Sequence, residues 1–384
     1  MNDDEKQAIA RIESELAPRD GEPLVVDARG SAEGGTRGAS GAVGRRAFLG
    51  TAAAVAATAT TLTPSVAKAA KNLAASPPEG FTPFNAPGKV VKVTKADSLQ
   101  ANKLYPKADV AKEVLTKALT ELTGKPDLVT AVQQFVHKDD IVVVKVNGIA
   151  QSQMATGKEL VLPFVEAMIE GGIKAEKITL LEQYAGFFNA TRITPQNVPA
   201  GVKIATHANG NATMDDRLIP GTGVKTKFVR WLTEATAVIN FALVKDHSIC
   251  GYTGALKNMT HGCTINPHDF HVHHASPQIA LLYAQDVIKS RVRLCIADAF
   301  KVMCNGGPLY KRPEFVKPHD SVYVSTDPVA IDTIGWEVVE KYRADFKLKT
   351  LTEEGREPAY IKAAADLGLG IHERSKILLK EVTV

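Results

Sequence analysis

Residues 140–148 read Asp-Ile-Val-Val-Val-Lys-Val-Asn-Gly. Ile141, Val142, Val143, Val144 and Val146 form a nearly unbroken β-branched run, and Gly148 offers a turn at its end. A run without polar alternation is the pattern of a strand covered on both faces, and such strands belong in sheets with helices packed on either side. Helices are therefore expected before and after it. Upstream, Val110, Val114, Leu115, Ala118, Leu119 and Leu122 recur at helical spacing between Lys107 and Leu122. Downstream, Thr156 is placed to cap a helix over Glu159–Gly171, with Leu160, Phe164, Ala167 and Met168 on one face. The alternation continues with strands at Lys177–Glu182 and Val202–Thr206, a helix at Lys227–Glu234 and a strand at Thr236–Val244. Beyond it, Ser276-Pro277 opens a helix to about Lys289, and strands are expected at Arg291–Ala297 and Ser321–Ser325. Asp327-Pro328 begins a helix to Tyr342, and a last helix from Pro358 to Leu367 stops at Gly368. Apolar strands alternating with amphipathic helices predict an α/β layered domain, a mainly parallel sheet flanked by helices, over residues 101–384. A linker and first strand are placed in residues 70–100.

The N-terminus carries an address. Gly44-Arg45-Arg46-Ala47-Phe48-Leu49 resembles the twin-arginine export motif, a mild apolar run follows to Leu62, and Ala67-Lys68-Ala69 fits a small-residue cleavage site. Residues 1–69 then read as a signal peptide whose long first part is disordered, and the mature chain begins near Ala70 in the periplasm. The implied partners are the twin-arginine translocase during export and no membrane span afterwards. Proteins that cross folded commonly carry a cofactor. Over the whole chain the net charge is +4, and beyond residue 69 it is +5, without a Lys/Arg run. That excess argues against nucleic acid and fits a protein that favours a small anionic ligand. The four cysteines have no Cys-x-x-Cys spacing, so no iron–sulfur cluster motif is present. Cys250 and Cys263 could pair across the loop between them or stay as buried thiols.

In sheets of this kind, ligands sit where strands end. Here the strand ends deliver Lys145 and Asn147, then Glu182, then Lys245, Asp246 and His247, then Asp298. Six of the ten histidines fall between His247 and His274. His268, His271, His273 and His274 are candidate metal ligands, because His271 and His273 share a side if the chain is extended and imidazole suits Zn, Ni, Cu or Fe. A solvated histidine-rich loop is the alternative. Gly251, Thr253 and Gly254 suit a tight turn with exposed amides, with Lys257 as a cation and Asn258 as donor and acceptor beside it. Such a loop suits phosphate or carboxylate. Equally open is a structural role, with Lys257 paired to Asp298 or Asp332 and Asn258 capping a turn. The catalytic candidates are therefore His247, Lys257 and Asp298, and the binding candidates are Lys145, Asn147, Thr253, Gly254 and Asn258.

Several segments resemble one family in order. They are Asp140–Asn147, Lys245-Asp246-His247, Thr253–Asn258, Ile296–Ala299, Gly306-Gly307-Pro308, Ser325–Asp332 and Leu367–Gly370. Together they are similar to the domain of unknown function 362 over roughly residues 140–372. The resemblance implies relatives that join this domain to a ferredoxin-like cluster module, and hence a redox partner protein for a chain without cluster cysteines. A remoter likeness is to nickel-pincer lactate racemases, which also place a lysine and histidines around a cofactor in an α/β crevice. Three functional classes follow: an exported metal-dependent enzyme acting on a small anionic substrate, a noncatalytic periplasmic binder of a metal or cofactor, and a subunit partnering a separate redox protein. The first is the favoured expectation.

Overall fold

The valine run forms a strand at Val142–Lys145 that is buried along its whole length. Val142, Val144 and Val146 enter one apolar core and Val143 enters the other, so two helical layers cover it as its composition requires. The computed structural model describes residues 71–207, 217–310 and 312–384. The twin-arginine motif and the rest of the signal read in residues 1–69 lie outside the described residues.

In chain order, β1 (Lys89–Thr94), α1 (Ala108–Thr123) and α2 (Leu128–Val132) precede β2 (Val142–Lys145). Helix α3 (Lys158–Glu170) leads to β3 (Ile178–Glu182), and α4 (Ala185–Ala190) to β4 (Lys203–Thr206). A small ribbon of β5 (Arg217–Leu218) and β6 (Lys225–Thr226), then α5 (Arg230–Glu234), returns the chain to β7 (Ala237–His247). That strand turns back as β8 (Gly251–Thr253) and runs into α6 (Ala255–Thr260). Helices α7 (Gln278–Tyr283) and α8 (Asp286–Lys289), strands β9 (Val292–Met303) and β10 (Val316–Ser325), helices α9 (Pro328–Asp345) and α10 (Tyr360–Asp366), and β11 (Leu378–Thr383) complete it.

Nine strands form one sheet in the order β11-β1-β10-β9-β7-β2-β3-β4, with β8 paired to the end of β7. β4, β3, β2, β7 and β9 are mutually parallel, and β10 and β1 add antiparallel pairings beyond β9. The fold is thus a mostly parallel α/β sheet with helices around it. From β2 the chain builds outward through β3 to β4, then crosses back to place β7 on the other side of β2. This reversal leaves a crevice at the carboxyl ends of β2 and β7, the usual ligand position in such sheets. Helices α1, α2 and α3 cover one face, while α5 to α10 cover the other. At the opposite end of β2, Asp140 takes a two-point contact from Arg293 (2.6 and 2.9 Å), a buried pair that ties β2 to β9.

Several boundaries differ from the sequence pattern, each for a local reason. Thr156 does not cap α3. Its hydroxyl lies against the Asn147 backbone (3.1 and 3.2 Å), and Gly157 precedes the helix without a side-chain cap. The stretch from Ser276-Pro277 to Lys289 breaks into α7 and α8, and the strand expected to end at Ala297 runs on to Met303, because β9 and β10 continue as an antiparallel pair. Asp327 is the cap expected of it, accepting the Val329 and Ala330 amides at 3.0 and 2.9 Å. Cys250 and Cys263 are free buried thiols, not a disulfide.

Candidate functional site

The ends of β2, β3 and β7, the β8–α6 segment, the 267–271 loop and Pro308 build the crevice. β2 ends in Lys145 and Asn147, and β3 ends in Glu182. The end of β7 places Lys245 and His247 in the cavity wall, while Asp246 between them turns away, as two-residue alternation dictates. Asp246 accepts from Arg356 at 2.8 Å and from the Gly307 amide at 3.0 Å. Gly307 must be glycine there, since a Cβ would lie 1.9 Å from the Asp246 carbonyl oxygen. This contact brings the Pro308 carbonyl to Lys245 Nζ, 3.3 Å away.

Helix α6 is anchored at both ends. Asp332, on α9, accepts the Ala255 and Leu256 amides at 2.6 and 3.0 Å, so a carboxylate from a distant helix holds the first turn. Gly254 makes that approach possible: a Cβ on it would sit 2.1 Å from Asp332 Oδ1. Asn258 anchors the other end by donating to Asn240 Oδ1 (2.7 Å) and the Phe241 carbonyl (3.1 Å). Lys257 lies between these anchors with its amine directed at histidines.

The resulting cavity has a volume of about 250 Å³ and suits a small ligand. Its polar wall has two unlike parts. In one, Lys145 Nζ pairs with Glu182 and donates to the Val146 carbonyl (2.6 Å) and to Asn258 Oδ1 (3.3 Å). Asn258 Oδ1 also accepts from Asn147 Nδ2 at 3.2 Å. An ammonium has three donors and an amide side chain about four positions, so Lys145 and Asn258 are fully used. They were candidate binding residues; the geometry makes them frame instead.

The other part is unsaturated. Lys257 Nζ lies 2.5 Å from His247 Nε2 and 3.1 Å from His271 Nε2. Among the described residues, no carboxylate lies within ion-pair distance of Lys257 or Lys245. Neither Asp298 nor Asp332 is the expected partner. Asp298 accepts the Gly157 and Phe300 amides (3.1 and 3.3 Å) outside the cavity wall, where burial raises its carboxyl to about 6. Burial lowers the Lys257 amine, with the neighbouring Cys250 thiol opposing the shift. Burial, with the neighbouring Lys257 amine adding to it, lowers Lys245 to about 7. His247 and His261 are pushed well below the usual histidine range by burial and by Lys257, and His271 falls to about 4 for the same reasons. Thr253 Oγ1 and His271 Nδ1 are buried without a hydrogen-bond partner.

The imidazole contacts set the direction of every proton here. His247 Nδ1 accepts the Ile249 and Cys250 amides at 3.1 and 3.4 Å, so it bears no hydrogen. A neutral imidazole carries one N–H, which is then on Nε2 and points at Lys257 Nζ. The amine must accept it, and a group that accepts is uncharged. One of the two N–H bonds of the neutral amine then donates to His271 Nε2, which moves the His271 proton to Nδ1, an atom without a hydrogen-bond partner among the described residues. The relay therefore runs from the β7–β8 turn through His247 and Lys257 to an unmet donor on His271.

The four candidate metal ligands do not converge. His271 turns inward to Lys257, whereas His268, His273 and His274 are exposed. His273 and His274 adopt left-handed backbone (φ 50° and 57°), which bends the segment and breaks the extended spacing that would put His271 and His273 side by side. His274 Nδ1 lies 3.1 Å from the Ile249 carbonyl. Among the described residues no group of three or more His, Cys, Asp or Glu side chains could hold a metal ion. Lys245 and Asp332 carry more of the site than sequence reasoning assigned them. The Lys-Asp-His alternation at the end of β7 was a usable signal for Lys245; the reach of Asp332 across helices left none.

The family model described as Domain of unknown function (DUF362) matches residues 142–337, which contain every residue of the cavity wall. No curated protein matches the chain.

Proposed function

We propose, for a chain that belongs to the DUF362 family, that the crevice is the active site of an enzyme acting on a small anionic substrate, with Lys257 as an uncharged amine that takes up a proton. The observation that carries this reading is the Lys257 amine set between His247 and His271 without a carboxylate. A buried ammonium would demand an anion, whereas a buried amine has a lone pair that serves for chemistry once it is released from His247 Nε2–H. Lys245, which donates to the Pro308 carbonyl and meets no carboxylate among the described residues, supplies the charge that draws the substrate anion. Lys257 removes a proton and passes one to His271 Nε2, from which it returns to the substrate. Positioned acid–base groups of this kind contribute about 10²–10⁴-fold in rate.

Thermal unfolding in rising concentrations of acetate, oxalate and phosphate tests it. At least one of the three should stabilise the protein in a concentration-dependent way, and Lys245→Met should remove that gain. No stabilisation by any of them, or equal stabilisation of Lys245→Met, would overturn the reading.

The proposal includes export by the twin-arginine route, from the Arg45-Arg46 pair and the Ala67-Lys68-Ala69 site. Replacing both arginines with lysine should leave precursor in the cytoplasm; processed periplasmic protein in that variant would refute it. No helix among the described residues is long and apolar enough to cross a membrane.

A further inference from the structure

We infer that Lys257 forms an imine with the carbonyl group of a small oxo acid, whose carboxylate Lys245 holds. This rests on the anion-binding reading of the same crevice and adds the substrate class and a covalent step.

Three observations converge on it. The hydrogen-bond directions leave Lys257 as a free-base amine, the form that attacks carbonyl carbon. A second buried amine, Lys245, lines the same wall and meets the Pro308 carbonyl but no carboxylate among the described residues, which places an anion site beside the nucleophile. Third, the Thr253 hydroxyl in the same wall is buried without a hydrogen-bond partner among the described residues. A substrate oxygen is the partner that it lacks, and leaving it unmet costs about 1–3 kcal/mol.

The chemistry balances without a redox partner. The Nζ lone pair, released from His247 Nε2–H, bonds to the carbonyl carbon as the C=O π pair moves to oxygen. One amine proton passes to His271 Nε2 and from the same nitrogen on to that oxygen, giving a carbinolamine. The second amine proton follows the same route as the C–O bond breaks, so both amine protons leave on oxygen as water and a neutral C=N bond remains. His247 Nε2–H then faces the imine nitrogen and can donate to it, making the linkage electron-withdrawing toward the adjacent carbon. The carboxylate on that substrate stays at Lys245 throughout.

Reductive trapping of the full chain decides it. The probes are glyoxylate, an oxo acid, and acetaldehyde, its uncharged counterpart, each with cyanoborohydride at pH 7 and followed by peptide mapping. Lys257 should be modified before exposed lysines such as Lys138 and Lys362, faster by roughly tenfold for each unit by which its pKa lies lower. Glyoxylate should outpace acetaldehyde at Lys257, and Lys245→Met should abolish that preference while leaving Lys257 reactive. Lys257→Arg should leave its peptide unmodified and the fold intact by circular dichroism. Exposed lysines labelling ahead of Lys257, or equal rates for the two probes, would overturn the inference. If simple anions still stabilise the protein in that case, the anion site stands and only the imine fails; if neither occurs, both fall.

Discussion

Lys145 and Lys257 are both buried amines at the same end of the same sheet, 1% and 4% exposed, yet their surroundings are opposites. Lys145 spends its three donors on Glu182, a carbonyl and Asn258, and so behaves as a cross-link between β2, β3 and α6. Lys257 meets two imidazoles, one of which donates to it. Burial alone therefore does not separate frame from chemistry in this crevice. The count of unmet donors and acceptors does, since a saturated network has nothing left to give a substrate.

The largest effect should come from breaking the saturated half. Lys145→Met strips the buried Glu182 of its counter-charge and should cost about 3–5 kcal/mol in urea unfolding. Adding Glu182→Leu removes the orphaned charge and should restore much of that loss. Lys257→Met, by contrast, strands no buried charge and only leaves the His247 Nε2–H without its acceptor, so it should cost about 1–3 kcal/mol. If the two single variants lost stability equally, Lys257 would be a structural residue and the contrast would fail.

Next in size is Asp332→Asn. Only one of two acceptors survives, and the new NH₂ faces a backbone N–H, so the start of α6 should lose about 1–3 kcal/mol. Because α6 carries Lys257, this variant should also slow glyoxylate trapping, although Asp332 touches neither probe nor amine. Normal trapping in a destabilised Asp332→Asn protein would show that α6 is positioned by Asn258 alone.

Most of the frame was legible because burial leaves an unambiguous mark on composition. The valine run of β2, the cap at Asp327 and the strand ends bearing Lys145, Lys245 and His247 all follow from local pattern. What was not legible depended on partners far apart in sequence. Asp332 reaches α6 from 76 and 77 residues away, and Asp298, also at a strand end, faces the Gly157 amide rather than the cavity. The histidine segment misled because its spacing implies an extended chain, and two consecutive left-handed residues replace that extension with a bend. Asn258 stayed open between binding and structure for a different reason: an amide looks the same in sequence whether its hydrogen bonds are spent or free.

A smaller effect separates the two amines of the open half by pH. Lys245 falls to about 7 in the folded protein, so it loses its charge as pH rises through that value. Anion-dependent stabilisation should weaken above pH 7, by up to about tenfold in affinity per unit, and acetate titrations at pH 6 and 8 will show it. Folding itself has the opposite slope. Between pH 7 and the ordinary lysine value near 10.4 the unfolded chain holds a proton that the native state lacks, so this residue adds stability as pH climbs. Lys245→Met should flatten both trends. Trapping at Lys257 should instead fail at the acid end, near pH 4, where His271 gains a proton and can no longer accept one.

The smallest effect should be at His273 and His274, and it tests whether the boundary between inner and outer histidines is real. Both are exposed and left-handed, a conformation that glycine adopts freely and other residues at a cost of about 1–2 kcal/mol. Changing both to glycine relieves that cost but gives the unfolded chain more freedom, about 0.5–1 kcal/mol per residue, so a gain of under about 1 kcal/mol per residue remains. The double variant should be up to about 2 kcal/mol more stable than the parent and trap glyoxylate at Lys257 at the parental rate. His271→Ala should be the reverse, with little loss of stability and much slower trapping, because it removes the atom that accepts from the amine and the donor that lacks a partner. Slow trapping in the glycine variant would mean that the outer turn holds His271 in register through its backbone. The reactive half of the crevice would then extend to the protein surface.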